Sequence, residues 1–74
     1  MKRYIFEKSK ERENWYVVTD TKYNIVVRFE AHKFNDTQKV TVLDDKPRHT
    51  AQDYATAMRE LGDWLVANHY DLIF

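Results

Sequence analysis

TAQDYATAMRELGDWLVANH, residues 50–69, is the stretch that decides the fold of this 74-residue chain. Thr50 followed by Asp53 is a helix start signal. The threonine hydroxyl can accept from the amide of residue 53, and the carboxylate can reach back to the amide of residue 50. At about 100 degrees per residue, one narrow apolar stripe forms from Tyr54, Met58, Leu61 and Leu65. The stretch therefore predicts one amphipathic helix that covers another layer.

The only glycine of the chain, Gly62, lies inside this helix. Glycine in a helix interior costs about 1 kcal/mol relative to alanine, so its presence needs a reason. Because Gly62 flanks the apolar stripe, we expect it, together with Ala55, to let the helix approach its neighbouring layer closely. The alternative is that Gly62 provides a close-contact site for a partner.

Four segments before the helix have the alternation or the composition of β-strands. They are residues 3–7, 15–19, 24–32 and 39–43. The third alternates best, with one side formed by Ile25, Val27, Phe29 and Ala31 and the other by Val26, Arg28, Glu30 and His32. The side expected to meet the helix consists of Ile25, Val27, Phe29, Val40 and Val42. Short connections between the segments predict hairpins. The first segment is expected to be an edge strand or a loose arm.

These elements predict a two-layer α+β fold, in which an antiparallel meander of three to four strands packs on one C-terminal helix. One domain is expected over residues 1–74, with the strands in about 3–43, the helix in about 50–69 and an apolar tail at 70–74. We expect the tail to pack within the molecule, because so short a chain needs every apolar residue for its core.

The composition favours an intracellular protein. The chain has no cysteine, so disulfides and thiolate-bound zinc are excluded. No apolar run approaches the roughly 20 residues of a membrane helix, and the first residues lack the apolar segment of a secretion signal. We therefore expect a cytoplasmic protein that does not bind a membrane.

No residue pattern predicts catalysis, a metal site or a cofactor. His32, His49 and His69 lie far apart and show no ligand spacing along a helix. Asp44 and Asp45 are adjacent, so on a strand their carboxylates would point to opposite faces. We therefore expect a protein that is not an enzyme, with no catalytic residues, no metal and no cofactor.

The sheet face opposite the helix is a candidate nucleic-acid surface. The expected contacts are Arg28, Lys39 and Trp15, since basic and aromatic side chains on an exposed sheet suit phosphate contact and base stacking. In strand and helix order, such a sheet backed by a C-terminal helix resembles the plant AP2-type domain and the arm-binding domain of some phage integrases. That resemblance implies a sheet placed in the DNA major groove. Against it stand Glu30 on the same face and a net charge of zero.

Two other groups of residues are candidate contacts. Lys46, Arg48 and His49 precede the helix, where exposed amides and the helix dipole attract an anion, although the cap formed by Thr50 and Asp53 competes for the same amides. Half-buried aromatic residues concentrate binding energy at protein interfaces, and Trp64 and Phe74 are the expected partner contacts.

The preferred hypothesis is a small non-enzymatic interaction module that binds a protein partner or forms a homodimer. Its support is the balanced charge and the many aromatic residues for so small a core. The alternative is a nucleic-acid-binding domain that uses the exposed sheet face.

Overall fold

The computed structural model describes residues 2–44 and 48–73 of the chain. Its strands are β1 (Tyr4–Lys8), β2 (Trp15–Asp20), β3 (Ile25–Glu30) and β4 (Lys39–Val42). Its helices are α1 (Phe34–Thr37), α2 (Ala51–Asn68) and α3 (Tyr70–Ile73). The strands form one antiparallel sheet in the order β1-β2-β3-β4, and α2 follows them in the chain. The predicted two-layer α+β fold with its meander is confirmed.

The first strand is an edge strand and not a loose arm, because β1 pairs with β2 along its whole length.

Within the described parts of the chain, no helix has both the length and the apolar character needed to cross a membrane.

The long helix begins with the predicted capping box. The Asp53 amide donates to the Thr50 hydroxyl at 3.2 Å, and the Thr50 amide donates to the Asp53 carboxylate at 3.1 Å. The fully buried positions of α2 are Ala57, Leu61 and Leu65, while the predicted Tyr54 and Met58 are partly buried. The buried face therefore includes the small residue Ala57, which is not part of the predicted stripe.

The prediction that Gly62 permits close packing against the sheet is wrong. A β-carbon added to this residue would meet no atom within 4 Å. The helical penalty of glycine is therefore not offset by a close contact inside the molecule.

The core lies between α2 and the sheet face that is formed by alternate residues of each strand. Its buried residues are Val18, Ile25, Val27, Phe29, Phe34, Ala57, Leu61 and Leu65. Val42 packs against this core as predicted, but Val40 is 45 % exposed although it lies opposite the buried Val27. The difference arises because β4 is an edge strand with one neighbour. On the other face Val26 is 8 % exposed, since it lies in an inner strand between Thr19 and Thr41.

The third strand is shorter than predicted and does not include His32. It ends at Glu30, and His32 has a φ of 65°, in the left-handed region that turns use. The His32 amide donates to the carbonyl of Leu72 at 2.7 Å, so the chain leaves the sheet here to meet α3. The next connection is also not a simple turn, because it contains α1, which buries Phe34 edge-on against Phe29.

A buried ion pair joins Arg3, which immediately precedes β1, to Asp20, the last residue of β2. Asp20 is fully buried, and Arg3 meets it in a bidentate arrangement, with Nε donating to Oδ1 at 3.3 Å and Nη2 to Oδ2 at 3.1 Å. The same carboxylate accepts from the amides of Lys22 at 2.9 Å and Tyr23 at 3.3 Å. Arg3 also reaches α2, where Nη2 donates to Glu60 at 3.1 Å. The hydrogen bond to Asp20 is the largest cause of a raised pKa for Arg3.

Replacing Arg3 by alanine is expected to lower the free energy of unfolding by about 3 kcal/mol, because a buried carboxylate loses its charged partner. Glu60→Gln is the control. It removes only the ion pair to a side chain that is 37 % exposed, so the expected loss is below about 1 kcal/mol. Urea unfolding followed by tryptophan fluorescence measures both variants. Equal losses for the two variants would contradict the assignment of Asp20 as the dominant partner.

Candidate functional site

An aromatic groove lies between β1 and the C-terminal part of α2. Its volume is about 340 Å³, and its lining consists of Lys2, Tyr4, Ile5, Phe6, Trp64 and His69. Successive side chains of a strand point to opposite faces, so Tyr4 and Phe6 face α2 while Ile5 faces away. Because Ile5 also lines the cavity, the groove runs along the free edge of β1. We refer to these six residues as the β1 groove.

Stacked rings form the walls of the β1 groove. The ring centroids of His69 and Phe6 are 3.9 Å apart, at an interplanar angle of 9°. The ring centroids of Trp64 and Tyr4 are 4.8 Å apart. The Trp64 and His69 centroids are 5.2 Å apart. All four side chains are partly buried, so each ring supports the core with one part and leaves another part accessible. This amphipathic arrangement is typical of aromatic residues that bind a partner.

The hydroxyl groups of Tyr4 and Tyr54 are both buried, and neither has a hydrogen-bond partner among the described residues. Burial raises the pKa of Tyr4 above its ordinary value, and the nearby Arg3 cation offsets part of this effect. The guanidinium carbon of Arg3 lies 4.8 Å from the centroid of the Tyr4 ring. The buried ion pair and the β1 groove are therefore adjacent, with Tyr4 between them.

The opposite face of the sheet carries the three residues predicted to contact nucleic acid. The Lys39 ammonium lies 5.8 Å from the Trp15 ring centroid, and the Arg12 guanidinium carbon lies 5.0 Å from it on a preceding loop. Arg28 is exposed and pairs with Lys39 across β3 and β4. The structure thus brings Trp15, Arg28 and Lys39 together on one face and adds Arg12, which the sequence pattern did not indicate.

This outer face has mixed charge. Glu30 lies directly opposite Trp15 in the register of β2 and β3, and its carboxylate is 3.9 Å from the Lys33 ammonium. Glu7 is exposed and lies opposite Val17 on the same face. Two carboxylates therefore lie among the cations, which weakens the attraction of this face for a polyanion.

The predicted anion contacts lie at the start of α2. Lys46 is outside the described residues, and Arg48 is exposed. His49 Nδ1 lies 3.8 Å from the Asp53 carboxylate, which also accepts from the Thr50 amide. This carboxylate is therefore positioned to compete with an external anion for the helix start.

The three histidines lie in different surroundings. His49 lies between the rings of Tyr23 and Tyr54, at 5.0 and 5.7 Å, while His69 belongs to the β1 groove and His32 to the turn after β3. Across residues 2–44 and 48–73, no group of three potential ligands could hold a metal ion.

Of the two predicted partner contacts, Trp64 lies in the β1 groove, and Phe74 is outside the described residues. Sequence reasoning missed Lys2, Tyr4, Phe6 and His69 as members of the same site. The alternation of residues 4–6 places Tyr4 and Phe6 on one face, so a signal for that pair existed. Nothing in the sequence indicated that this pair would meet the end of α2.

Replacing Tyr4 by phenylalanine is expected to raise the free energy of unfolding by up to about 1 kcal/mol, because it removes a buried hydroxyl without a partner. The raised pKa means that the folded chain holds this proton more tightly than the unfolded chain. Stability should therefore fall as the pH rises above the unfolded value of about 10, and Tyr4→Phe should reduce that fall.

Urea unfolding at neutral and alkaline pH measures both effects. An equal alkaline fall in wild type and Tyr4→Phe would contradict the burial argument.

Comparisons with known proteins give no relative from which a function could be transferred. No family model matches the sequence, and neither the curated proteins nor the solved structures contain a significant match. The resemblance in strand and helix order to AP2-type and integrase arm-binding domains is therefore not supported by a structural match. A function is therefore inferred from the geometry of the β1 groove and of the outer face of the sheet.

Proposed function

We propose that this chain is a small non-enzymatic interaction module that acts in the cytoplasm and binds a protein partner through the β1 groove. The observation that carries the proposal is the cluster of four half-buried rings beside the open edge of β1. Apolar groups flanked by a few polar ones are typical of binding surfaces. The mixed charge of the outer face also favours a protein partner over a nucleic acid.

Capture experiments with matched variants test this proposal. Trp64→Ala removes the central ring of the groove, and Arg28→Ala is the control on the opposite face. We expect wild type and Arg28→Ala to retain the same protein from a native lysate and Trp64→Ala to bind it at least about tenfold more weakly, as for an interface hot spot. Circular dichroism checks that each variant is folded, and titration with the purified protein gives the affinity.

Equal affinity of Trp64→Ala and wild type would rule out the β1 groove as the binding site. Sedimentation across a range of concentrations separates a second copy of the chain from a different partner. Self-association that Trp64→Ala abolishes would identify the partner as the chain itself.

A second candidate function is nucleic-acid binding by the outer face. The observation in its favour is the Trp15 ring with two cations within 6 Å of its centroid and a third, Arg28, beside one of them. A base could stack on Trp15 while the cations contact phosphates. The carboxylates of Glu7 and Glu30 on the same face make this the second candidate.

If this function is correct, a labelled single strand or duplex should bind in a gel-shift assay, and Trp15→Ala and Arg28→Ala should each weaken it. With three phosphate contacts, affinity should fall about 20- to 40-fold between 50 and 200 mM salt. Trp64→Ala is the control and should bind like wild type. The absence of any complex at the lower salt concentration would eliminate this function.

A further inference from the structure

The backbone of β1 offers one set of hydrogen-bonding groups to β2 and another to the open edge of the sheet. The Thr21 amide donates to the Arg3 carbonyl at 2.8 Å, and the Ser9 amide donates to the Trp15 carbonyl at 2.8 Å. In an antiparallel pair, alternate residues exchange such bonds, so the odd-numbered residues of β1 bond to β2. The amides and carbonyls of Tyr4, Phe6 and Lys8 consequently point away from β2.

The residues with edge-directed backbone groups are also those whose side chains face the groove. Tyr4 and Phe6 line it, so a strand that pairs with β1 would place its own alternate side chains against Trp64 and His69. The other edge strand, β4, is one residue shorter and does not line this groove. Main-chain hydrogen-bonding groups and an aromatic groove therefore coincide at the β1 edge, the combination that strand addition uses.

The charges of the β1 groove favour an acidic occupant. Lys2 contributes a cation and His69 an imidazole, and none of the six lining residues is acidic. Lys8 lies exposed at the far end of the strand. On α2, the Glu60 carboxylate lies 3.1 Å from the Arg3 guanidinium and shares this cation with Asp20.

Two central registers for pairing β1 with a second copy of the chain bring like charges together. Antiparallel self-pairing centred on Ile5 would place Lys2 opposite Lys8, and self-pairing centred on Phe6 would place Lys2 opposite Lys10. Like charges directly opposite each other destabilise paired strands.

We propose that the β1 edge accepts an extended segment of a partner protein as a fifth strand, whose groove-facing side has apolar side chains in the middle and an acidic side chain at each end. This inference rests on the proposed protein-binding function and specifies the chemistry of the partner. The rings of the β1 groove hold the apolar side chains, while Lys2 and Lys8 attract the acidic ones at the two ends.

A short blocked peptide tests the inference with the intact chain. On one face it carries aspartate, phenylalanine, phenylalanine and aspartate, and these alternate with threonine, valine and threonine on the other face. A second peptide has lysine in place of each aspartate. We expect the acidic peptide to bind, with chemical shift changes at Trp64, and the lysine peptide to bind at least about tenfold more weakly. Lys2→Glu should reduce this preference.

Amide hydrogen exchange separates strand addition from side-chain docking. Saturation with the acidic peptide should slow exchange at Tyr4, Phe6 and Lys8, whereas Ile5 and Glu7 are already bonded to β2 and should change little. Lys8→Pro removes one edge-directed amide without removing a bond to β2, so it should weaken binding at least about tenfold more than Lys8→Ala does.

Each other outcome overturns the inference in a different way. Binding with shifts at Trp64 but without slowed exchange at Tyr4 and Phe6 would overturn strand addition and leave the groove as a protein-binding site. Failure of both peptides to bind would overturn the acidic extended occupant, while the capture experiment with Trp64→Ala decides the proposed function separately. Concentration-dependent slowing at the same amides without peptide would identify a second copy as the occupant.

Discussion

The buried ion pair between Arg3 and Asp20 is the constraint on which the sheet and the groove depend. A fully buried carboxylate is costly unless charged and hydrogen-bonded partners surround it. Asp20 accepts from the guanidinium and from two amides of the turn that follows it. Since Arg3 immediately precedes β1 and also reaches Glu60, one network fixes the edge strand, the β2–β3 turn and the long helix. The position of Tyr4, and through it one wall of the groove, follows from that network.

The aromatic residues have two roles because the chain is short. In a protein of 74 residues one helix covers one side of a four-stranded sheet, and the helix is too narrow to bury every ring on that side. The central aliphatic residues are fully buried, whereas Tyr4, Phe6 and Trp64 pack against the core from its margin. The same side chains therefore stabilise the fold and form a surface that a partner can use. A substitution at this margin is expected to affect both roles, so binding measurements require a test of folding for each variant.

The two faces of the sheet differ in chemistry more than in overall charge. The groove side combines rings with basic residues and has no acidic lining residue. The outer side has cations around Trp15, but carboxylates at Glu7 and Glu30 interrupt them. A flexible polyanion needs a continuous positive surface, whereas an extended peptide needs an open strand edge and a few well-placed pockets. Among the described residues, the β1 edge and its groove meet the needs of an extended peptide more fully than the outer face meets those of a polyanion.

The sequence alone determined the four strands, the long helix and their order, but not the short helices α1 and α3. Local signals were sufficient for this: the capping box at Thr50, the helical stripe through Leu61 and Leu65, and the alternation in β3. They were insufficient where neighbouring elements decide, as in the turn that ends β3 before His32 and in the open space around Gly62.

The tertiary structure alone decided that Tyr4, Phe6 and His69 join the predicted contact Trp64 in one site. Tyr4 and Phe6 are separated from Trp64 and His69 by nearly the whole chain, and only the packing of α2 across the sheet brings their rings together. The physical reason is that periodicity specifies which face of an element is buried, whereas contacts between distant elements depend on how those faces are oriented against each other.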